Sequence, residues 1–255
     1  MKLLLPFIFC SSLTTNAFEI VAPEASKEAW SHQAALERAK GFKKDVKTLL
    51  DTRIIGGGDA PSGRYPYFTY IELSTNLGET FFCSGTLIWE DAVLTAAHCV
   101  VDLLSTPERV ITGVGAYVGA ENLSDLTEAE FREAELAVIN PSYNSITFEN
   151  DIAVFKLKVP VLNVSPVQLN FDTASPADGI GVDVFGFGAT STDPNDPLPD
   201  ILQTVSLFTV PFADCNDANS FDGDVFEASM ICAGVPAGGK VSSVYEQREP
   251  SCTIE

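Results

Sequence analysis

The spacing of apolar residues changes once along this chain, near residue 53. Before that point Ala29, Trp30, Leu36, Ala39, Val46, Leu49 and Leu50 recur at roughly helical intervals among interspersed Lys and Glu, which predicts one amphipathic helix. Gly41 weakens it by about 1 kcal/mol relative to alanine. From Ile54 onward the texture becomes short β-rich runs at 65–73, 81–89, 92–96 and 181–187, separated by clusters of Gly, Pro, Asp and Asn. That pattern predicts an all-β sandwich or barrel. The stretch Ser191-Thr192-Asp193-Pro194-Asn195-Asp196-Pro197 reads as a loop, and no repeat period or low-complexity block stands out.

The start of the chain adds a compartment to this picture. Lys2 precedes the apolar run Leu3-Leu4-Leu5-Pro6-Phe7-Ile8-Phe9, and Thr15-Asn16-Ala17 supplies small residues for cleavage before Phe18. Residues 1–17 are therefore expected to be a secretory signal, because the run is well short of the roughly 18 to 20 residues a spanning helix needs. A secreted, extracellular protein without a membrane anchor follows. Residues 18–53 are expected to be a removable pro-segment, and 54–255 a β-rich domain. At 255 residues and 45% hydrophobic, the chain can bury a sizeable core, so disorder is not the default.

Secretion permits disulfides, and removal of the signal takes Cys10 with it, leaving Cys83, Cys99, Cys215, Cys232 and Cys252. Five is odd, so one lacks a partner within the chain. Zinc is a poor alternative: no C-x-x-C spacing occurs, and His32 and His98 are the only histidines. No metal and no cofactor is expected. Residues 54–255 hold 29 Asp plus Glu against 7 Lys plus Arg, a formal charge of −22. Such a domain repels phosphate backbones and anionic lipid, so no nucleic-acid partner is expected and cationic proteins or peptides are favoured over one, although solubility alone accounts for the charge. The acidic residues Glu121, Asp125, Glu128, Glu130, Glu133 and Glu135 are read as a solvated surface in preference to a calcium loop. Sequons at Asn122 and Asn163 are candidate glycosylation sites in a secreted chain.

Four local patterns then occur in a fixed order. They are Arg53-Ile54-Ile55-Gly56-Gly57, Cys83-Ser84-Gly85-Thr86-Leu87-Ile88, Leu94-Thr95-Ala96-Ala97-His98-Cys99 and Asn150-Asp151-Ile152-Ala153-Val154-Phe155-Lys156-Leu157. Together they resemble the chymotrypsin and trypsin family of serine proteases, and Gly186-Phe187-Gly188 and Met230-Ile231-Cys232-Ala233-Gly234 extend the likeness to about Lys240. The resemblance implies two antiparallel Greek-key β-barrels, a zymogen cut between Arg53 and Ile54 by an activating trypsin-like protease, and disulfides Cys83–Cys99 and Cys215–Cys232. It also implies that His98 serves as general base and acid, with Asp151 holding the other ring nitrogen. This family is the worked example of that chemistry. His98 is the only histidine after Arg53, so no other imidazole in the processed domain can fill the role.

Past Gly238-Gly239-Lys240 the likeness stops. The family continues with Asp-Ser-Cys-Gln-Gly-Asp-Ser-Gly-Gly-Pro, whereas this chain reads Val241-Ser242-Ser243-Val244-Tyr245-Glu246-Gln247 and on to Glu255. Aligning Cys252 with the family cysteine that precedes the serine leaves only three residues after it. Ser84, Ser242, Ser243 and Ser251 lie in no Gly-x-Ser-x-Gly turn. The same segment would supply the oxyanion hole, the carboxylate for the freed Ile54 amine and the specificity-pocket floor. The expectation is a secreted trypsin-like endopeptidase zymogen, truncated before its nucleophile and inactive as this chain, whose second barrel is incomplete with an open edge. The alternative is a noncatalytic secreted homologue that binds a protease or another protein.

Overall fold

Residues that alternate in polarity form strands here because a pleated backbone sends successive side chains to opposite faces. The computed structural model describes residues 18–19, 53–104, 108–172, 176–191, 193, 196–218, 220–235 and 241–243. The strands are β1 (Phe18–Glu19), β2 (Arg53–Ile55), β3 (Gly58–Asp59), β4 (Phe68–Thr75), β5 (Thr80–Trp89), β6 (Ala92–Thr95), β7 (Ile111–Val118), β8 (Glu130–Ile139), β9 (Ala153–Leu157), β10 (Gly181–Gly186), β11 (Gln203–Thr209), β12 (Ala233–Gly234) and β13 (Val241–Ser243). Among the described residues two short helices interrupt them, α1 (His98–Leu104) and α2 (Phe212–Cys215). The signal, the greater part of the pro-segment with its expected helix, and Cys252 lie outside the described residues.

A first sheet runs β1-β8-β7-β4-β5-β6-β9, and β8 pairs with β9 to close six of these strands into an antiparallel barrel. Its interior is filled by Ile71, Leu73, Phe81, Leu87, Val93, Val114, Val118 and Phe155, each nearly inaccessible to solvent. β5 shows the alternation most cleanly, with Phe81, Cys83 and Leu87 inside. The expected run at 65–73 starts later than its composition suggested. Pro66 lacks the N–H a ladder needs, and the Phe68 amide instead closes a turn onto the Tyr65 carbonyl at 3.0 Å.

A second sheet runs β10-β11-β12, with β3 also pairing β11. Among the described residues β10 has a ladder partner on one side only, and Ile180 and Phe208 are about half exposed. The fold is thus the all-β class that the patterning predicts, in the two-barrel arrangement that the resemblance implies, and among the described residues the second sheet does not close on itself. Between the halves lies a cluster of the aromatic residues Phe68, Tyr70, Tyr117 and Phe187 with Leu202 packed among them. β4 is buried on both faces as a result, sending Ile71 and Leu73 into the barrel and Phe68 and Tyr70 toward Phe187, whose ring is 5.5 Å from Phe68 and 6.1 Å from Tyr70.

The acidic residues expected as one solvated surface are in part structural. Glu121 accepts the Gly63 amide and the Ser62 hydroxyl, and Glu133 pairs with Lys158 at 2.8 Å. Glu130 accepts the amides of Leu162 and Asn163 at 3.1 and 3.0 Å and pairs with Arg132, which also donates to the Pro160 carbonyl. β8 is clamped by this carboxylate to the segment after β9. Burial opposes the charge on Glu130, but the two amides and the guanidinium outweigh it and hold its carboxyl below the usual range.

Two predictions follow from this packing. A Cβ at Gly85 would lie 2.7 Å from both Ile71 Cδ1 and Val93 Cγ1 and 2.8 Å from the Leu94 carbonyl oxygen, so Gly85→Ala should destabilise the fold by about 1–3 kcal/mol in urea unfolding. A depressed folded-state pKa stabilises above the unfolded value of about 4.3, and that share is lost as pH falls through the folded value. Glu130→Gln should therefore flatten the loss of stability between about pH 5 and 3, measured as the urea midpoint at each pH.

Candidate active site

After the turn at Glu90 and Asp91 that follows β5, β6 ends at Thr95 and the chain turns into α1 with His98 as its first residue. The turn is fixed from several sides. The Thr95 hydroxyl donates to the Ser84 carbonyl at 2.8 Å, tying the end of β6 to β5, and Ala97 is fully buried. A disulfide joins Cys83 in β5 to Cys99 in α1. Closing a loop of 16 residues in this way stabilises by about 3 kcal/mol on the chain-entropy account.

Asp151 arrives from the other side, one residue before Ile152 leads into β9. β9 pairs with β6 in the register Thr95↔Ala153, which brings the residues before β9 beside those after β6. One Asp151 carboxylate oxygen accepts the backbone amide of His98 at 2.9 Å, and the other lies 2.6 Å from His98 Nδ1. The first contact satisfies an amide that a helix start leaves without an intrahelical acceptor. The second makes Nδ1 the donor to an ionised carboxylate, so the neutral ring presents its lone pair at Nε2. Both side chains are largely buried, at 13% and 9% exposure, which keeps water from competing for the contact.

The loop that delivers Asp151 contains two non-glycine residues in the left-handed region, Phe148 at φ 56° and Asn150 at φ 58°. Such residues are held there only when their surroundings over-determine them. Asn144 accepts the Ile146 amide at 3.0 Å, the Phe148 amide donates to the Asn144 carbonyl at 2.8 Å, and Asn150 donates to the Ser142 carbonyl at 3.2 Å. The Phe148 ring stands edge-on to His98, with centroids 6.2 Å apart and planes at 76°. Sequence reasoning passed over Phe148, and an aromatic residue just upstream of the Asn150-Asp151 motif was the only signal available.

His98 Nε2 lies 3.6 Å from Cys99 Sγ, and among the described residues no serine hydroxyl is hydrogen-bonded to it. Ser242 and Ser243 lie in β13, paired with Ile54 and Arg53 of β2, and Ser251 lies outside the described residues. Ser84 sits in β5, and a Cβ at Gly186 would come 3.6 Å from both its hydroxyl and Ile54 Cδ1. Ile54 itself is 5% exposed among Val184, Val205, Leu207 and Ala233. The second disulfide joins Cys215 of α2 to Cys232 just before β12. Asn163 is exposed, whereas Asn122 is partly covered, its side chain accepting the Ser124 amide and its backbone bridging to Ile201. The one group of potential metal donors among the described residues is Cys83, His98 and Cys99. Its two sulfurs are bonded to each other, which leaves a single imidazole.

Asp151→Ala should strand the largely buried His98 amide and cost about 1–3 kcal/mol of stability, and should also abolish the low-field Nδ1 proton resonance that the 2.6 Å contact predicts. Asp151→Asn, which keeps an oxygen but can turn its amide toward Nδ1, should retain more of the stability while still losing that resonance.

Residues 54–244 match the family model described as Trypsin. Over 202 residues the chain is 35% identical to Trypsin-1 of Astacus astacus, covering 74% of this chain and 78% of that one. It is 33% identical over 195 residues to Serine protease 1 of Rattus norvegicus, covering 75% and 71%. Serine proteinase stubble of Drosophila melanogaster is 32% identical over 251 residues, 93% of this chain, which spans only 30% of that protein's length. The solved structure of GrC superposes with a TM-score of 0.62 at 26% identity, covering 74% of this chain and 83% of that one.

Proposed function

Because this chain belongs to the trypsin family of serine proteases, whose chemistry is hydrolysis of peptide bonds in protein substrates, we propose that it is the zymogen of a secreted trypsin-like endopeptidase. In this reading residues 1–17 are removed on secretion, and an activating protease of tryptic specificity cuts after Arg53. His98 is the general base and acid, and Asp151 fixes its tautomer. The observation that carries the assignment is the paired contact of one buried carboxylate with the Nδ1 atom and the backbone amide of His98. The apolar run at 3–9 supports secretion, and no described helix is long and apolar enough to cross a membrane. Exposed Asn163, and less readily Asn122, would carry glycans in that compartment.

The mechanism assigns the proton but not the attacking atom. His98 Nε2 would accept a hydroxyl proton as the hydroxyl attacks a peptide carbonyl, and return it to the leaving amine. Asp151 would stabilise the imidazolium in between. The 255 residues contain no Gly-Asp-Ser-Gly-Gly segment to supply that hydroxyl or the amides that stabilise the oxyanion. Removing a triad serine alone costs about 10⁶ in kcat, and the loss of oxyanion donors removes the residual support as well. This polypeptide is therefore proposed to be without peptidase activity, with residues 241–255 standing in place of the nucleophile segment of an active form. Transcript sequencing beyond the Lys240 codon checks that last point, since an active form requires an in-frame nucleophile segment.

The second reading, a noncatalytic homologue that binds another protein, has one observation in its favour: the six strands that close the first barrel all lie between Phe68 and Leu157. Purified 255-residue chain, before and after treatment with immobilised trypsin that is then removed, should show no labelling by a fluorophosphonate serine probe and no turnover of peptide substrates. Labelling would overturn the inactive reading. Amino-terminal sequencing of the secreted, processed protein should begin at Ile54, and any other terminus removes the processing assignment.

A further inference from the structure

The three residues just after Lys240 do something specific in the fold. β13 pairs antiparallel with β2 in the register Val241↔Ile55, Ser242↔Ile54 and Ser243↔Arg53, so the ladder runs across the Arg53–Ile54 bond. The amide of that bond, the Ile54 N–H, donates to the Ala189 carbonyl at 2.7 Å. Antiparallel pairs alternate between residues that exchange hydrogen bonds and residues that do not. With the Ile54 amide turned toward Ala189, Ile54↔Ser242 is the non-bonded pair, and Arg53 and Ile55 direct their backbone groups at β13. The Arg53 carbonyl, which a protease would attack, thus faces the Ser243 amide. On the far side the Ile54 side chain is held among Val184, Val205, Leu207 and Ala233.

A protease reads its substrate as an extended strand whose backbone edges are free to pair with the enzyme. Here both edges of the bond are occupied and the residue after it is buried. We infer that Val241–Ser243 form a latch over the Arg53–Ile54 bond, so that the folded 255-residue chain resists cleavage there until β13 peels away from β2. The inference rests on the reading of Arg53–Ile54 as the processing bond for its biological meaning, but the masking itself is a property of the folded chain. Cleavage of a masked bond tracks the population of the locally opened state, so weakening the ladder raises the rate in proportion.

The test is trypsin digestion of the intact 255-residue chain under native conditions, with the Arg53–Ile54 bond followed by mass spectrometry. A synthetic peptide spanning residues 47–60 serves as the unmasked standard. Ser243→Pro removes the amide facing the Arg53 carbonyl and should speed cleavage at this bond by about tenfold, whereas Ser243→Ala keeps the amide and should match the parent. The Lys156–Leu157 bond in β9 reports whether the barrel is folded, and should stay intact in all three. Cleavage of the parent at the rate of the peptide overturns the latch, as does an unchanged rate in a folded Ser243→Pro chain. Should that variant lose the Lys156–Leu157 protection, the comparison of parent with peptide decides alone. Secreted protein that never begins at Ile54 would instead remove the processing reading while leaving the rates in this digestion to decide the latch.

Discussion

One carboxylate organises the centre of this molecule. Asp151 uses one oxygen for the amide that begins α1 and the other for the ring on that same residue. Two chain segments 53 positions apart are thereby held in a single geometry. Burial makes the arrangement hold, because in water each of those hydrogen bonds would exchange against solvent for little net gain. The surrounding features lead to this point. The disulfide fixes α1 to β5, the Thr95 hydroxyl fixes the end of β6, and the left-handed Phe148 and Asn150 bend the loop so that Asp151 enters from the correct side.

Much of this architecture could be read from the chain in advance, for local reasons. β5 announces itself because Phe81, Cys83 and Leu87 alternate with outward residues, and β10 through Val182, Val184 and the glycines that bound it. β8 was harder to see, because Glu130, Glu133 and Glu135 resemble a solvated acidic stretch. Only in the fold do Leu162, Asn163, Arg132 and Lys158 appear as the groups that neutralise Glu130 and Glu133. The motifs around His98 and Asp151 were legible as motifs, but not the 2.6 Å between them, which comes from the β6–β9 register. Phe148 was invisible because its contact with His98 depends on a positive φ that no residue preference announces. The pairing of β13 with β2 was equally hidden, since three residues 186 to 190 positions from their partners leave no periodic trace.

The two halves of the domain differ in how they manage their edges. The first closes on itself through β8 and β9, and closure removes exposed ladder groups. The second leaves β10 with one partner among the described residues. Its strands are nonetheless anchored, because Gln203 of β11 holds Asp59 of β3 by side chain as well as by ladder, and Asp183 of β10 gathers Ser206, Tyr65 and Arg64. Those contacts hold the Asp183 carboxyl below its usual range, with the Ser206 hydroxyl the largest influence. The open half is therefore fastened from the side of the closed one.

The burial of β4 on both faces has a further consequence for how the protein comes apart. Ile71 and Leu73 belong to one core and Phe68 and Tyr70 to the other, so no cut between the halves spares this strand. A fragment ending before β10 would keep the closed barrel yet expose Phe68, Tyr70 and Tyr117 as one greasy aromatic wall. Proteolytic nicking between the halves would in this way yield a sticky, self-associating remnant instead of a free-standing module, which ties the lifetime of each half to that of the other.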